Sequence, residues 1–156
     1  MKIRIDWTQP IPLRRTSRSD VGYSIDLTKI PAEADVYVFG RKYGGSFEAL
    51  YVGQSKNMRS RVKGHLNSLN LMRFLRDAKS GSRVLYAGAI VTRSGQRLEK
   101  TMSVAERALM RHFLAEGHDL VNKQGTRLRR HEISAEGRHP QGFIPRNMFV
   151  ERHKGE

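Results

Sequence analysis

The hydrophobic and polar positions of the central segment predict a β-hairpin. Residues 36–39 and 49–52 are rich in β-branched and aromatic residues, as strands usually are. Between them, positions 43–46 read Tyr-Gly-Gly-Ser, a cluster that favours a turn. We therefore expect two neighbouring antiparallel strands here.

A helix is predicted directly after the hairpin. Met58, Val62 and Leu66 recur at every fourth position, which places them on one buried helix face. Either Ser55 or Asn57 can cap the first turn, since both side chains accept hydrogen bonds from backbone N–H groups. The basic residues of this helix are then expected to face away from the core or along its edge.

Three more elements are predicted in the second half of the chain. Residues 70–79 indicate a short helix and residues 83–92 a third strand. Residues 102–116 indicate a longer helix that ends at Gly117, a typical stop residue. Together with the hairpin, these elements give a small mixed domain.

The two ends of the chain are expected to be extensions of a central domain at residues 35–125. Residues 1–34 contain three prolines and a polar stretch, which favours an irregular extension with short strands near 3–5 and 23–27. Residues 126–156 form a basic extension, and its apolar residues are expected to pack back on the core.

Net charge narrows the classes of partner. The 156 residues include 29 Lys+Arg and 15 Asp+Glu, a formal net charge of +14. Residues 36–122 hold 15 of the basic and 6 of the acidic residues, so most of the excess lies on the hairpin and the helices. A positive excess of this size predicts a polyanionic partner, with nucleic acid as the first candidate.

Several other classes are excluded by what the sequence lacks. No apolar run approaches the length of a bilayer span, and residues 1–10 have no long apolar stretch after their positive charge and so do not form a secretory signal. We therefore expect no membrane partner and a cytoplasmic location. The absence of cysteine excludes disulfides and thiolate zinc sites. No Walker-type glycine loop and no histidine pair with metal-ligand spacing occurs.

Four side chains of the hairpin and the following helix are candidates for phosphate chemistry. Tyr37 and Tyr51 lie on the two strands, while Arg61 and His65 stand four residues apart on one helix face. An arginine offers a planar fork of donors suited to two phosphate oxygens. We expect these two phenols, the guanidinium and the imidazole to lie within reach of one phosphate.

These motifs resemble those of the GIY-YIG nuclease family. The two tripeptides that give the family its name stand here as Val-Tyr-Val at 36–38 and Tyr-Val-Gly at 51–53. The resemblance continues through Gln-Ser-Lys-Asn at 54–57 and covers about residues 35–122. One departure is that valines flank the first tyrosine where the family has glycine and isoleucine. The resemblance implies an α+β fold, in which a small three-stranded antiparallel sheet is flanked by helices and carries the active site on its face.

The resemblance also implies a role for each candidate residue. Tyr37 would act as the general base on water, and Arg61 would hold the phosphate. Glu106 would bind one divalent metal ion, Mg²⁺ or Mn²⁺. Tyr51 and His65 take the places of the family's second tyrosine and its helix histidine.

Tyr37 needs help to act as a base, because an unperturbed phenol titrates near pH ~10. A cationic field from Arg61, Lys56 and the metal ion would favour the phenolate. His65 would also accept the phenol proton through a hydrogen bond.

Two of the implied roles compete with structural interpretations. Glu106 follows Ser103 by three positions, which also fits a capping box at the start of a helix. Asn122 would orient the site by bonding nearby backbone, although an ordinary turn asparagine explains it equally well.

The expected function is a metal-dependent endonuclease that hydrolyses phosphodiester bonds in DNA by tyrosine-assisted attack of water. A non-catalytic nucleic-acid-binding module of the same fold and an RNA-directed nuclease or toxin are the alternatives, and the oligomeric state is open. The residues expected to contact the nucleic-acid backbone are Lys56, Arg59, Lys63, Arg127, Arg129 and Arg130.

Overall fold

The computed structural model describes residues 2–16, 22–122, 128–138 and 142–153. Its strands are β1 Arg4–Trp7, β2 Ile11–Pro12, β3 Arg14–Arg15, β4 Tyr23–Ser24, β5 Val36–Tyr43, β6 Ser46–Gln54, β7 Ser82–Val91, β8 Leu128–Ser134 and β9 Asn147–His153. Its α-helices are α1 Met58–Leu66, α2 Leu69–Asp77 and α3 Leu98–Ala115, and a short 3-10 helix spans Leu27–Lys29.

An antiparallel sheet forms the centre of the described chain. Strands β1, β7, β5 and β6 are hydrogen-bonded in that order, and β2 also pairs with β7. The prediction of an α+β fold is confirmed, and β5, β6 and β7 pair antiparallel. The predicted number of three strands is wrong, because the N-terminal segment adds β1 and β2 to the sheet. Ile3 and Ile5 pack against the cluster that contains Val36 and Ile90, and this apolar contact helps to hold β1 in place.

Both faces of the sheet are covered by helices. Tyr37 and Phe39 of β5 point to one face, where they pack in a cluster with Val62 of α1 and with residues of α2. Val38 and Val52 point to the other face, where they pack with residues of α3. This alternation is what a strand buried on both sides requires, since successive side chains point to opposite faces.

Helix α1 follows the sequence prediction closely. Asn57 is the N-cap, and its Oδ1 accepts a hydrogen bond from the backbone N–H of Ser60 at 3.2 Å. Met58 and Val62 are buried, while Leu66 is partly buried at the edge of the same cluster. The charged residues between them are therefore left on the solvent side.

Helix α3 begins four residues earlier than predicted. Its N-cap is Arg97, which makes no side-chain capping bond, so the sequence carries no start signal at this point. Thr101 and Met102 are buried within the first turns, and their burial extends the helix toward its N-terminus.

No helix in the described part of the chain is long and apolar enough to cross a membrane.

The C-terminal hairpin of β8 and β9 packs against the end of α3. The ring of Phe149 lies so close to Gly117 that a Cβ at this glycine would collide with it. Gly117 has φ of +87°, the left-handed conformation that ends the helix at the predicted residue. Phe143 and Ile144, in the loop before β9, are exposed instead.

Candidate active site

Tyr37 is placed by a close approach between β5 and β6. Its cross-strand partner is Gly53, the glycine of the Tyr-Val-Gly motif. A Cβ at Gly53 would collide with Cζ and the hydroxyl oxygen of the Tyr37 ring. The glycine therefore leaves the space that the phenol occupies.

The Tyr37 hydroxyl lies 2.6 Å from Nε2 of His65 on α1. Tyr51 stacks on Tyr37 with ring centroids 6.1 Å apart, and it meets the His65 ring edge-on at 4.8 Å. The two tyrosines and the histidine thus form one aromatic cluster, as expected from their order in the sequence.

The protonation states of this cluster follow from its burial. Desolvation raises the pKa of Tyr37 above its usual range, and the neighbouring Tyr51 adds to this effect. Desolvation together with the charge of Arg61 lowers the pKa of His65 to about 4. Both groups are therefore neutral near pH ~7, so the Tyr37 hydroxyl donates its hydrogen to Nε2 of His65.

Arg61 stands beside both phenols, one helical turn before His65. Its charge opposes the rise in the pKa of Tyr37, and the Tyr37 hydroxyl in turn raises the pKa of the guanidinium. Burial dominates at Tyr37, so the cationic field expected to favour a phenolate is too weak in the protein alone. The Arg61 side chain is exposed and can be reached by a phosphate.

Glu106 belongs to α3, which packs on the other side of the sheet from this cluster. Its Oε2 accepts a 2.9 Å hydrogen bond from the side chain of Gln54, the last residue of β6. The same Gln54 nitrogen donates to the hydroxyl of Ser103 at 3.3 Å. Since α3 starts at Leu98, Ser103 is not the N-cap and the capping box is excluded.

The candidate residues therefore lie on two sides of the sheet, because the two tyrosines point to the face that α1 covers and Glu106 lies on the side of α3. β6 is the last strand of the sheet path, with α1 on one side of it and α3 on the other. Burial raises the pKa of Glu106, while Gln54 and the charge of Arg61 act against that rise. The charge of Arg61 therefore acts on the Glu106 carboxylate across β6.

Asn122 bonds the backbone of the same edge strand. Its Nδ2 donates to the carbonyl oxygen of Val52 at 2.6 Å, and its Oδ1 accepts from the Val52 N–H at 3.4 Å. This pair of bonds continues the hydrogen bonding of β6 where no further strand of the sheet follows. It fixes the backbone between Tyr51 and Gly53.

The residues expected to contact a nucleic-acid backbone differ in their contacts within the protein. Lys56 forms an ion pair with Glu99 of α3, and Nε of Arg59 donates to the carbonyl of Ile30 at 2.9 Å. Lys63 is exposed on α1. Arg127 lies outside the described residues. Arg129 and Arg130 are residues of strand β8.

Gln54 and Glu99 are the residues of this region that sequence reasoning missed. Both contact groups from a distant part of the chain, 52 residues away for Gln54 and 43 for Glu99. In the sequence, only the position of Gln54 directly after the Tyr-Val-Gly motif indicated that this residue belongs to the site. The partner on α3 was not visible without the fold.

Glu106 is the carboxylate of this site that could hold a metal ion. Among the described residues there is no group of three or more His, Cys, Asp or Glu side chains that could hold a metal. Mg²⁺ is often bound by one or two carboxylates and completes its octahedron with water and phosphate oxygens. Glu106 alone suits that mode, whereas a structural zinc site would need four ligands.

No protein-family model, curated protein or solved structure matches the chain.

Proposed function

We propose that the protein is a metal-dependent endonuclease of the GIY-YIG type, which hydrolyses phosphodiester bonds in DNA. The observation that carries the proposal is the 2.6 Å contact between the Tyr37 hydroxyl and Nε2 of His65. A neutral imidazole that accepts a hydrogen bond from a buried phenol is a proton acceptor, and Arg61 stands next to it.

In the proposed reaction, Tyr37 passes a proton and does not start as a phenolate. Water gives one proton to the Tyr37 oxygen while the original hydroxyl proton moves to Nε2 of His65. The resulting hydroxide attacks phosphorus, and the bond from phosphorus to the leaving oxygen breaks. The leaving oxygen takes a proton from solvent.

The bound phosphate makes His65 a better base. Desolvation by burial is the larger cause that lowers the pKa of His65, and the charge of Arg61 is the second. When Arg61 pairs with an anionic phosphate, this repulsion is offset and the imidazole accepts a proton more readily. Proton acceptance is thereby coupled to the presence of substrate.

Arg61 and Glu106 have complementary parts in this proposal. The Arg61 guanidinium binds non-bridging phosphate oxygens and offsets the charge that develops in the transition state. Glu106, held by Gln54, is the residue that would bind the divalent ion. That ion would supply Lewis-acid stabilisation of the charged phosphate oxygens.

A nucleic acid is the proposed substrate because of the charge of the chain, and the resemblance to the GIY-YIG nucleases favours DNA. The net charge of +14 suits a polyanion, and the strands and helices that carry the candidate site hold most of the excess. Phosphate contacts of this kind read no bases, so the proposal concerns the backbone of the substrate and not its sequence.

Cleavage of supercoiled plasmid tests the proposal. We expect nicking with Mg²⁺, no nicking with a chelator, and loss of nicking in Glu106→Gln, which still binds the plasmid. Glu116→Gln is the matched control, since it removes an exposed carboxylate at the end of the same helix. Salt-sensitive binding without any cleavage by the intact protein would instead support a non-catalytic module. Cleavage of RNA alone would correct the substrate.

A further inference from the structure

Arg61 and His65 also line an open groove that runs along α1. The groove has a volume of about 560 Å³, and its wall includes Asn57, Ser60, Arg61, Gly64, His65 and Ser68. It is thus continuous with the proposed site and extends over the solvent side of the helix.

Gly64 is the unexpected residue in this wall. It lies inside α1 and does not have the positive φ that favours glycine. A Cβ at this position would meet no atom within 4 Å, so no neighbour excludes a side chain. Glycine in a helix loses more conformational freedom on folding than alanine does, and it destabilises the helix. Neither the local fold nor packing explains its presence.

The other groups in the wall match a sugar–phosphate backbone. The Ser68 oxygen accepts the N–H of Leu71 at 3.4 Å as the N-cap of α2, which leaves its hydroxyl proton to donate toward the groove. Ser60 supplies a second hydroxyl and Arg61 a cation. Hydroxyl and guanidinium donors suit phosphate oxygens, which accept hydrogen bonds and carry negative charge.

We propose that this groove holds the substrate strand beside the cleaved phosphate, and that Gly64 admits the strand by leaving the helix surface bare. The strand crosses α1 over Gly64, with its backbone between Arg61 and Ser68. Gly64 is then a specificity-determining residue, because a side chain there fills the path of the strand. This inference rests on the proposed function and adds the route that the substrate takes.

Substitutions that add bulk at Gly64 test the route without harming the fold. Gly64→Ala and Gly64→Leu place good helix formers in α1, so both should raise the melting temperature by about 2–4 °C. Binding is measured by fluorescence anisotropy with a labelled duplex DNA oligonucleotide, in the Glu106→Gln background. We expect Gly64→Leu to weaken binding at least about tenfold and Gly64→Ala to have a smaller effect.

Ala108→Leu is the control for added bulk, since it is an exposed alanine in α3 and should leave binding unchanged. In the protein that retains Glu106, we expect Gly64→Leu to raise KM more than it lowers kcat. A Gly64→Leu variant that is more stable and binds as tightly as its parent would overturn the proposed route. If the intact protein never cuts, the proposed nuclease activity fails, yet the binding comparison still decides whether a strand occupies the groove.

Discussion

The Tyr37 oxygen and Nε2 of His65 are 2.6 Å apart with one proton between them. The burial of the two groups determines which of them holds this proton. The phenol holds it because the pKa of Tyr37 is raised and that of His65 is lowered. In the proposed reaction Tyr37 relays a proton, and that relay would require only its hydroxyl group. Its ring, in contrast, serves packing through the stack with Tyr51.

Tyr37→Phe separates these two contributions. The variant keeps the ring and loses the hydroxyl, so we expect cleavage to fall at least about 100-fold while DNA binding stays within about threefold. Plasmid nicking rates and anisotropy measure the two quantities. Tyr43→Phe, at the exposed end of the hairpin, is the matched control. A Tyr37→Phe protein that cuts at the full rate would exclude the relay.

The histidine of the pair also predicts a dependence of stability on pH. His65 has a pKa of about 4 in the folded protein, whereas an unfolded histidine titrates near ~6.5. Between these values the unfolded chain binds more protons, so the free energy of unfolding decreases as the pH falls from ~6.5 toward ~4. Above ~6.5 the contribution is constant.

His65→Gln should remove this part of the acid sensitivity. Between about pH 7 and about pH 5, we expect the parent to lose on the order of 1 kcal/mol more than the variant, after allowance for the partial exposure of the ring. Urea unfolding at both pH values measures the difference. Equal losses in the two proteins would show that His65 is not the group that titrates.

At the scale of elements, the strands and helix that carry Tyr37, Tyr51, Arg61 and His65 were predictable, whereas the position of Glu106 in its helix was not. The first four lie on elements with clear periodicity and short connections. Helix α3 starts at Leu98, its N-cap Arg97 makes no side-chain capping bond, and the Ser103 spacing imitates a capping box further along. The start of this helix is set by the burial of its first turns. That burial depends on packing partners from other parts of the chain, so the local sequence does not indicate it.

The pairing of β5 with β6 gives the glycine of the second motif a specific purpose. Gly53→Ala would place a methyl group against the Tyr37 phenol, so the ring or the strands must shift. We expect a loss of about 1–3 kcal/mol in the free energy of unfolding, as overpacked cores show, together with a clear loss of cleavage. Thermal unfolding and plasmid nicking measure the two effects.

Gly45→Ala is the matched control for this change. It lies in the hairpin turn, where a Cβ would meet nothing within 4 Å. If Gly53→Ala were as stable and as active as Gly45→Ala, the proposed positioning of Tyr37 by this glycine would be wrong.

At the scale of the whole molecule, the N-terminal segment completes the sheet. The sequence favoured an irregular extension with short strands near 3–5 and 23–27, which overlap β1 and β4, but it did not indicate β2, because no periodicity can show in a strand of two residues. Its place is set by β7, whose ten residues pair with β5 on one side and with β1 and β2 on the other. Long-range pairing of this kind depends on the partner strand and is not encoded locally.

Some of the basic side chains of the molecule make contacts within the fold itself. Arg83 is buried and donates to backbone carbonyls at the end of α2, and Arg41 pairs with Glu48. The side chains of these two arginines are therefore used in contacts that hold the fold together. Lys56 is in a different state, because its partner Glu99 is exposed and the pair stands beside the candidate site.

Glu99→Gln should release Lys56 to a phosphate of the bound nucleic acid. Because each added phosphate contact releases counterions, the plot of log K against log salt should steepen by about 0.9, and binding at low salt should tighten. Titrations of duplex DNA at several salt concentrations in the Glu106→Gln background measure the slope. Glu33→Gln makes the same charge change at an exposed residue before β5, and it should shift affinity without adding a contact. Equal slopes in the two variants would mean that Lys56 does not reach the nucleic acid, and the positive field of the molecule would then act on DNA without this residue.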